Sequence, residues 1–207
     1  MNTKAAAPRR IGLLGGSFDP PHLAHRALGD LALAHLGLDE LRWLPAGQPW
    51  QKAARTLAAR AHRLAMLRLL LAGEPRFAID ERELDRAGPT YTIDTVSEFL
   101  AEYPGAELLL VIGQDQYGRF DTWREWRELL QRVTLAVAGR DGAAPAPPPA
   151  LAAEPHRVVA LPLPAMPVSS TAARAAAGRG LRVDALVGPA VAGYIAQHRL
   201  YTEGMTH

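Results

Sequence analysis

Short apolar runs alternate along this chain with longer segments in which apolar residues recur every three or four positions. The short runs predict strands at residues 11–14, 41–44, 77–79, 108–112 and 133–138. The longer segments predict helices at residues 23–36, 56–71, 93–103 and 123–132. This alternation is typical of βαβ units. The sequence therefore predicts an α/β fold, a Rossmann-like open parallel sheet with helices on both faces.

Two segments refine this prediction. The run 108–112 has no polar residue at every second position, as expected of a central strand that is covered on both faces. In the helix predicted at 56–71, one apolar stripe is formed by Leu57, Ala61, Leu64, Leu67 and Leu71. The arginines of that helix, Arg60, Arg63 and Arg68, are expected on its solvated face.

The C-terminal third of the chain differs in character. Eight of the seventeen prolines fall between Pro145 and Pro167, which predicts a Pro-rich loop at 141–167, interrupted by a short strand at 157–161. A small helical extension is predicted at 168–207, with one helix ending near Gly178 and another running from Gly188 to about His198. Residues 1–9 are predicted to be a flexible lead-in, and residues 10–207 a single domain.

Composition narrows the classes of function. The 207 residues are 48% hydrophobic and 21% charged, which is enough apolar material for one folded domain. The absence of cysteine excludes disulfides, thiolate metal sites and cysteine nucleophiles. The net charge of +2 is scattered, and no apolar run is long enough to span a membrane. We therefore expect a cytoplasmic protein that binds neither nucleic acid nor membrane.

The segment 15–25 carries the first candidate chemistry. It joins the first strand to the first helix, and Gly15 and Gly16 let the backbone approach a phosphate closely. His22 and His25 are three positions apart, so in the first turn of a helix both imidazoles face the same point. Each histidine alone is more simply a hydrogen-bonded structural residue. The pair beside a phosphate-binding loop favours stabilisation of charge on a phosphate chain.

Other motifs fit this segment less well. It lacks the last glycine of a G-x-S-x-G nucleophile elbow, the G-K-[ST] of a Walker A loop and the third glycine of a dinucleotide fingerprint. A zinc site at the two histidines would need further ligands. A serine hydrolase built on Ser17 stays a remote alternative.

Two later segments add candidates. Asp115 follows the predicted central strand, where a carboxylate can hold ribose hydroxyls or a metal, or can simply cap a helix. Arg174 stands three residues after Thr171 at the start of an Ala-rich helix. Together with the hydroxyls of Ser169, Ser170 and Thr171 it can grip phosphate oxygens, although an N-cap beside a surface arginine explains the pattern equally well.

In combination, these segments resemble the HxGH and SSTxxR motifs of a nucleotidyltransferase superfamily, in the right order and about 150 residues apart. The resemblance narrows through four further stretches to the bacterial nicotinate-nucleotide adenylyltransferases, and it covers residues 10 to 203. Those stretches are Glu81-Arg82-Glu83-Leu84, Pro89-Thr90-Tyr91-Thr92, Ile112-Gly113-Gln114-Asp115 and Phe120-Asp121-Thr122-Trp123.

The resemblance implies transfer of the AMP part of ATP to nicotinate mononucleotide, giving deamido-NAD and pyrophosphate, with Mg2+ bound to ATP and no metal-ligating residue assigned. It implies an ATP site formed by Gly15, Gly16, Ser17 and Phe18, with Asp115 near the ribose. It assigns the phosphates to His22, His25, Ser169, Ser170, Thr171 and Arg174. It implies a nicotinate pocket formed by Tyr91, Thr92, Ile93 and Trp123. Monomer and homo-oligomer both stay open.

Three positions depart from the pattern of the family: Ala24 replaces a glycine between the histidines, Gln51 a histidine, and Arg124 an aromatic residue. They bear on substrate contacts and not on the reaction. Two further alternatives are kept. Pantetheine-phosphate adenylyltransferase has similar motifs but leaves the stretches at 89–92 and 122–123 unexplained, and a non-catalytic nucleotide sensor would not need both histidines.

Overall fold

A six-stranded parallel sheet forms the centre of the protein, whose computed structural model describes residues 7–49, 57–140 and 143–202. The strands of this sheet are Arg10–Gly16 (β1), Glu40–Pro45 (β2), Phe77–Ile79 (β4), Glu107–Gly113 (β6), Thr134–Ala138 (β7) and Val158–Leu161 (β8). Their spatial order is β4-β2-β1-β6-β7-β8. Two two-residue strands, Gln48–Pro49 (β3) and Pro89–Thr90 (β5), pair separately.

Helices cover both faces of the sheet. Those described are Leu23–Leu36 (α1), Arg60–Leu71 (α2), Arg82–Asp85 (α3), Thr92–Glu102 (α4), Gln114–Tyr117 (α5), Trp126–Arg132 (α6), Pro149–Ala152 (α7), Ser170–Gly178 (α8), Asp184–Val187 (α9) and Pro189–Gln197 (α10). One hydrophobic cluster joins the sheet to α1, α2, α8, α9 and α10. A second joins its other face to α4, α6 and α7. The predicted α/β class with helices on both faces is confirmed.

The central strand β6 shows why the apolar run at 108–112 was informative. Leu108, Leu110 and Ile112 are buried in one cluster, whereas Leu109 and Val111 are buried in the other. Successive side chains of a strand point to opposite faces, so a strand covered on both sides needs apolar residues throughout.

Helix α1 is held close to the sheet. A Cβ atom on Gly29 would lie 2.6 Å from the ring of Trp43, so the helix approaches β2 as only glycine permits. The helix ends at Gly37, which adopts the left-handed conformation (φ 58°) that often follows a helix. This packing places the N-terminus of α1 at the carboxyl edge of the sheet.

Two predicted helix starts are wrong. The helix predicted from residue 56 begins at Arg60, because Ala59 has an extended ψ of 145°; residue 56 itself lies outside the described residues. The helix predicted from Trp123 begins at Trp126, after a 3-10 turn at Phe120–Thr122. Glu125 has a φ of 51°, which is incompatible with a continuous helix from residue 123.

The expectation of a solvated arginine at position 63 is also wrong. Arg63 is only 4% exposed, although Arg60 and Arg68 lie at the surface as expected. Its guanidinium donates hydrogen bonds to three backbone carbonyls, which compensate for its burial, and two of these carbonyls lie on segments distant in sequence. The short helices α3, α5, α7 and α9 were not predicted either. The strand predicted at 157–161 is confirmed, whereas most of the lead-in, residues 1–6, lies outside the described residues.

Candidate active site

A cavity of about 560 Å3 opens at the carboxyl ends of β1 and β6. These two strands are neighbours, and the order of the strands reverses between them, because β2 and β4 lie on one side and β7 and β8 on the other. Open parallel sheets bind ligands at such a switch point. The volume lies within the range of small-molecule sites.

His22 and His25 lie at the floor of this cavity and hold each other in place. The backbone N–H of His25 donates to Nδ1 of His22 at 3.3 Å, and the N–H of His22 donates to Nδ1 of His25 at 3.2 Å. The rings stack with centroids 3.6 Å apart. His22 is the N-cap of α1 and lies outside its first turn, contrary to our expectation, but the two rings do converge.

The reciprocal cap fixes the tautomer of both rings. Each Nδ1 accepts a hydrogen bond, so in the neutral form the proton is on Nε2, and each ring can donate from that atom. Burial lowers the pKa of His22 to about 4, which keeps this imidazole neutral at physiological pH. His22 therefore offers a hydrogen-bond donor to the cavity and not a full positive charge.

The loop between β1 and α1 forms one wall. Gly15, Gly16 and Ser17 line the cavity. Phe18, which was expected to line the ATP site, is 1% exposed and packs edge-on against the ring of His25, with centroids 5.1 Å apart. In the described structure Phe18 supports the histidine from behind.

The segment at 169–174 is braced against the same loop. Ser170 donates to the carbonyl of Pro20 at 2.9 Å, and Arg174 donates to the carbonyl of Asp19 at 2.6 Å and to Oγ1 of Thr171 at 3.1 Å. The hydroxyl of Ser169 caps the N–H of Ala172. Of these residues only Ser170 lines the cavity. The hydroxyls and the arginine thus lie together at the loop, although their role in binding phosphate stays a prediction.

The carboxyl end of β6 supplies the opposite wall. Asp115 lines the cavity in the first turn of α5 and forms an exposed ion pair with Arg140 at 2.8 Å. The side chain of Gln114 donates to the carbonyl of Ala146 and accepts from its N–H, which fastens the Pro-rich segment to α5. The carboxylate of Asp115 therefore lies at the cavity, paired with Arg140, and its contact with a nucleotide ribose stays a prediction.

Two of the four residues predicted to form a nicotinate pocket line the cavity. Thr92 and Trp123 line the cavity, and Trp123 is stacked on Phe120 with centroids 5.0 Å apart. Tyr91 lies under the guanidinium of Arg124 at 4.7 Å, and Ile93 is buried in the second hydrophobic cluster. Of the departures from the family pattern, Ala24 lines the cavity, Arg124 covers Tyr91, and Gln51 lies outside the described residues.

Two residues of the site were missed by sequence reasoning. Glu83 lines the cavity and accepts a hydrogen bond from Thr95 at 2.9 Å, and burial raises the pKa of its carboxyl. Glu83 stands in one of the stretches that carry the family resemblance, but no role was assigned to it. Arg63 contacts the loop from behind, and a signal existed for it: Met66, Leu67 and Leu70 follow it at helical spacing on the buried face.

Among residues 7–49, 57–140 and 143–202 no three histidine or acidic side chains cluster as a metal site would require. In the same described part of the chain, no helix is both long and apolar enough to cross a membrane.

The neutral state of His22 predicts a pH dependence of stability. The imidazole takes up a proton near its usual pKa of 6.5 when unfolded but only near pH 4 when folded. The contribution of His22 to the free energy of unfolding is therefore fully present above pH 6.5. As the pH falls towards 4, this contribution decreases by about 3 kcal/mol. His22→Asn keeps an N-cap acceptor but does not titrate. In urea unfolding across this pH range, the free energy of unfolding is expected to decrease less for the variant than for the unmodified protein. An equal decrease in both proteins would contradict the neutral state of His22.

Comparisons with known proteins agree with this geometry. Residues 13–176 match the model of the Cytidylyltransferase-like family. The chain is 54% identical over 201 residues to a protein of Methylibium petroleiphilum named "Probable nicotinate-nucleotide adenylyltransferase", which covers 95% of this chain and 94% of that one. A protein of Bordetella petrii with the same name is 46% identical over 197 residues, covering 93% and 99%.

Solved structures support the fold. A nicotinic acid mononucleotide adenylyltransferase of Plasmodium falciparum complexed with NaAD superposes with a TM-score of 0.76 at 19% identity, covering 93% of this chain and 97% of that one. The structure of the same enzyme complexed with APC superposes with a TM-score of 0.75 at 18% sequence identity. Taken with the close sequence relatives, the family match shows that this chain belongs to the nicotinate-nucleotide adenylyltransferases, within the cytidylyltransferase-like family.

Proposed function

We propose that the protein transfers the AMP part of ATP to nicotinate mononucleotide. An oxygen of the mononucleotide phosphate attacks the α-phosphorus of ATP, the bond to the bridging oxygen of the β-phosphate breaks, and deamido-NAD and pyrophosphate form. The observation that carries this proposal is the paired imidazoles of His22 and His25 beside a glycine-containing loop in the switch-point cavity. The names of the close sequence relatives supply the substrates.

The histidines act through hydrogen bonds. Their Nε2 atoms donate to phosphate oxygens on which charge grows as the α-phosphorus changes partners, and donors placed in advance are most effective at that moment. The N-terminus of α1 adds positive potential at the same point. No covalent intermediate on the enzyme is required, so positioning and electrostatics supply the rate.

The pyrophosphate end of ATP is assigned to the segment at 169–174. The hydroxyls of Ser169, Ser170 and Thr171 and the planar guanidinium of Arg174 suit the oxygens of the β- and γ-phosphates. The hydrogen bonds of Ser170 and Arg174 to the loop bring this segment into the same region as the histidines. Asp115 is assigned to the ribose.

Mg2+ is proposed to enter with ATP. The donors fit such an ion, because Mg2+ usually keeps phosphate oxygens and waters and takes only one or two protein carboxylates. Asp115 is a carboxylate of the cavity that lies beside the proposed ATP site. When bound, the ion would neutralise charge on the departing pyrophosphate.

The part of the cavity near the N-terminus of α4 is proposed to recognise the carboxylate of nicotinate. Tyr91 precedes α4 and offers no side-chain cap, and the first two amides of the helix, those of Thr92 and Ile93, have no acceptor within it. A carboxylate accepts from such amides, whereas the NH2 of an amide would face another donor. The indole of Trp123, backed by Phe120 on one face, can stack on the flat pyridine ring with the other.

The substrates are tested by incubating the protein with ATP, Mg2+ and each pyridine mononucleotide, followed by chromatography of the products. We expect deamido-NAD and pyrophosphate from nicotinate mononucleotide, and a kcat/KM roughly a hundredfold lower for the nicotinamide form, because a mismatched buried donor costs several kcal/mol. Binding of ATP without pyrophosphate release would favour a sensor. Transfer of AMP to pantetheine phosphate in place of the mononucleotide would favour a pantetheine-phosphate adenylyltransferase.

Stacking is tested by Trp123→Ala. The variant is expected to raise the KM for nicotinate mononucleotide about tenfold, since an aromatic stack contributes on the order of 1 kcal/mol beyond the buried area, and to leave the KM for ATP nearly unchanged. Trp123→Phe retains a ring and is expected to recover most of the loss. An unchanged KM for the mononucleotide in Trp123→Ala would contradict the stacking role.

The role of His25 is tested by His25→Ala. Loss of a donor to the transition state is expected to lower kcat on the order of a hundredfold or more with little change in either KM. His35→Ala, on the exposed face of the same helix, is the control and should keep normal turnover. Normal kcat in a folded His25→Ala protein would remove the residue from the mechanism.

A further inference from the structure

Arg63 is a buried cation that binds three backbone carbonyls. It lies in the first turn of α2 and is 4% exposed. Its Nε donates to the carbonyl of Ala58 at 3.2 Å, and one terminal nitrogen donates to the carbonyls of Ser17 at 2.9 Å and Ala46 at 2.8 Å. A guanidinium can satisfy several acceptors at once because its donors are fixed in a plane.

Two of these carbonyls belong to different parts of the cavity wall. Ser17 follows β1, and Ala46 follows β2, and both line the cavity. The N–H of Ala46 also donates to the carbonyl of Gly16 at 2.9 Å. Arg63 itself does not line the cavity. It therefore joins two loops from behind the wall, at the end where the phosphates are proposed to bind.

The conformation of the β1–α1 loop has to be stabilised by contacts from outside the loop. Phe18, next to Ser17, has a φ of 46°, a left-handed conformation that is unfavourable for a bulky residue and persists only where the surroundings fix it. Because the carbonyl of Ser17 points to Arg63, the N–H of the same peptide plane, that of Phe18, points away from it. The bond from Arg63 thus fixes the orientation of a peptide group within the loop.

The charge of Arg63 has partners as well as acceptors. Burial lowers the pKa of its guanidinium, and the carboxylate of Asp19 and the hydroxyl of Tyr201 act in the opposite direction. Arginine nevertheless keeps its charge in proteins. A positive charge thus lies behind Gly16 and Ser17, where it adds to the potential at the N-terminus of α1.

We propose that Arg63 is a positioning residue for the ATP phosphates: by holding the carbonyls of Ser17 and Ala46 from behind the cavity, it keeps the β1–α1 loop in the shape that binds the triphosphate. It does not touch the substrate. The proposal rests on the proposed function for the identity of the nucleotide, and it adds a residue from α2 to the determinants of ATP affinity.

Three variants test this role. Arg63→Met removes the donors and keeps an unbranched apolar side chain, and Arg63→Lys keeps the charge and part of the hydrogen bonding. Arg68→Met, on the exposed side of the same helix, is the matched control. For each folded protein we would measure kcat, the KM for ATP and for nicotinate mononucleotide, thermal unfolding, and calorimetric binding of a non-hydrolysable ATP analogue.

Arg63→Met is expected to weaken binding of the analogue and to raise the KM for ATP on the order of tenfold, with the KM for the mononucleotide within about twofold of normal. Arg63→Lys is expected to recover part of this loss, and Arg68→Met to resemble the unmodified protein. Should Arg63→Met not fold, a raised KM for ATP with a normal KM for the mononucleotide in Arg63→Lys supports the proposal.

Equal increases in both KM values, or binding of the analogue that is unchanged in the Arg63 variants, would overturn the proposal. Calorimetry separates this failure from a failure of the proposed function. If the unmodified protein binds the analogue but forms no deamido-NAD, the assigned reaction is wrong, while the effect of Arg63 on nucleotide binding can still be measured.

Discussion

The shape of the β1–α1 loop is the constraint on which the site depends. In a few residues the chain must leave a central strand, expose glycine backbone to the cavity, pass through the left-handed Phe18 and begin a helix. Glycine and proline permit this path but do not enforce it. The carbonyls of Ser17, Asp19 and Pro20 are instead held by side chains from α2 and α8. The conformation of the loop is therefore set by hydrogen bonds from separate elements.

The start of α1 couples folding to chemistry. A helix needs acceptors for its first amides, and serine, threonine, aspartate or asparagine usually supply them. Here His22 supplies the cap, and His25 returns the hydrogen bond to the amide of His22. The same bonds commit Nδ1 of both rings and leave Nε2 as donor. The residues that stabilise the helix therefore also set the tautomer of the proposed phosphate-binding groups.

Sequence alone predicted those features that depend on local pattern. The apolar run of β6 and the amphipathic helix α1 were found because burial recurs with the period of each element. Arg63 was assigned to solvent although it lies on the buried face of its helix, because two of its acceptors, the carbonyls of Ser17 and Ala46, belong to segments distant in sequence. Trp123 was placed in a helix because the left-handed backbone conformation at Glu125 is not marked by a glycine or asparagine in the sequence. At the site, two short motifs pointed to the histidines and Ser170, which line the cavity, but they did not indicate that Phe18 would pack against His25.

The long separation of the two motifs follows from the topology. The β1–α1 loop lies at the middle of the sheet edge, where the neighbouring strands β2 and β6 occupy both sides. Helix α8 is the first of the longer helices after the last strand, β8, and its side chains reach this loop. Arg174 and Ser170 arrive there, and Tyr201 adds a hydrogen bond to the carboxylate of Asp19 at 2.7 Å. The C-terminal helices are thus part of the site, because they supply donors that no segment close in sequence to the loop provides.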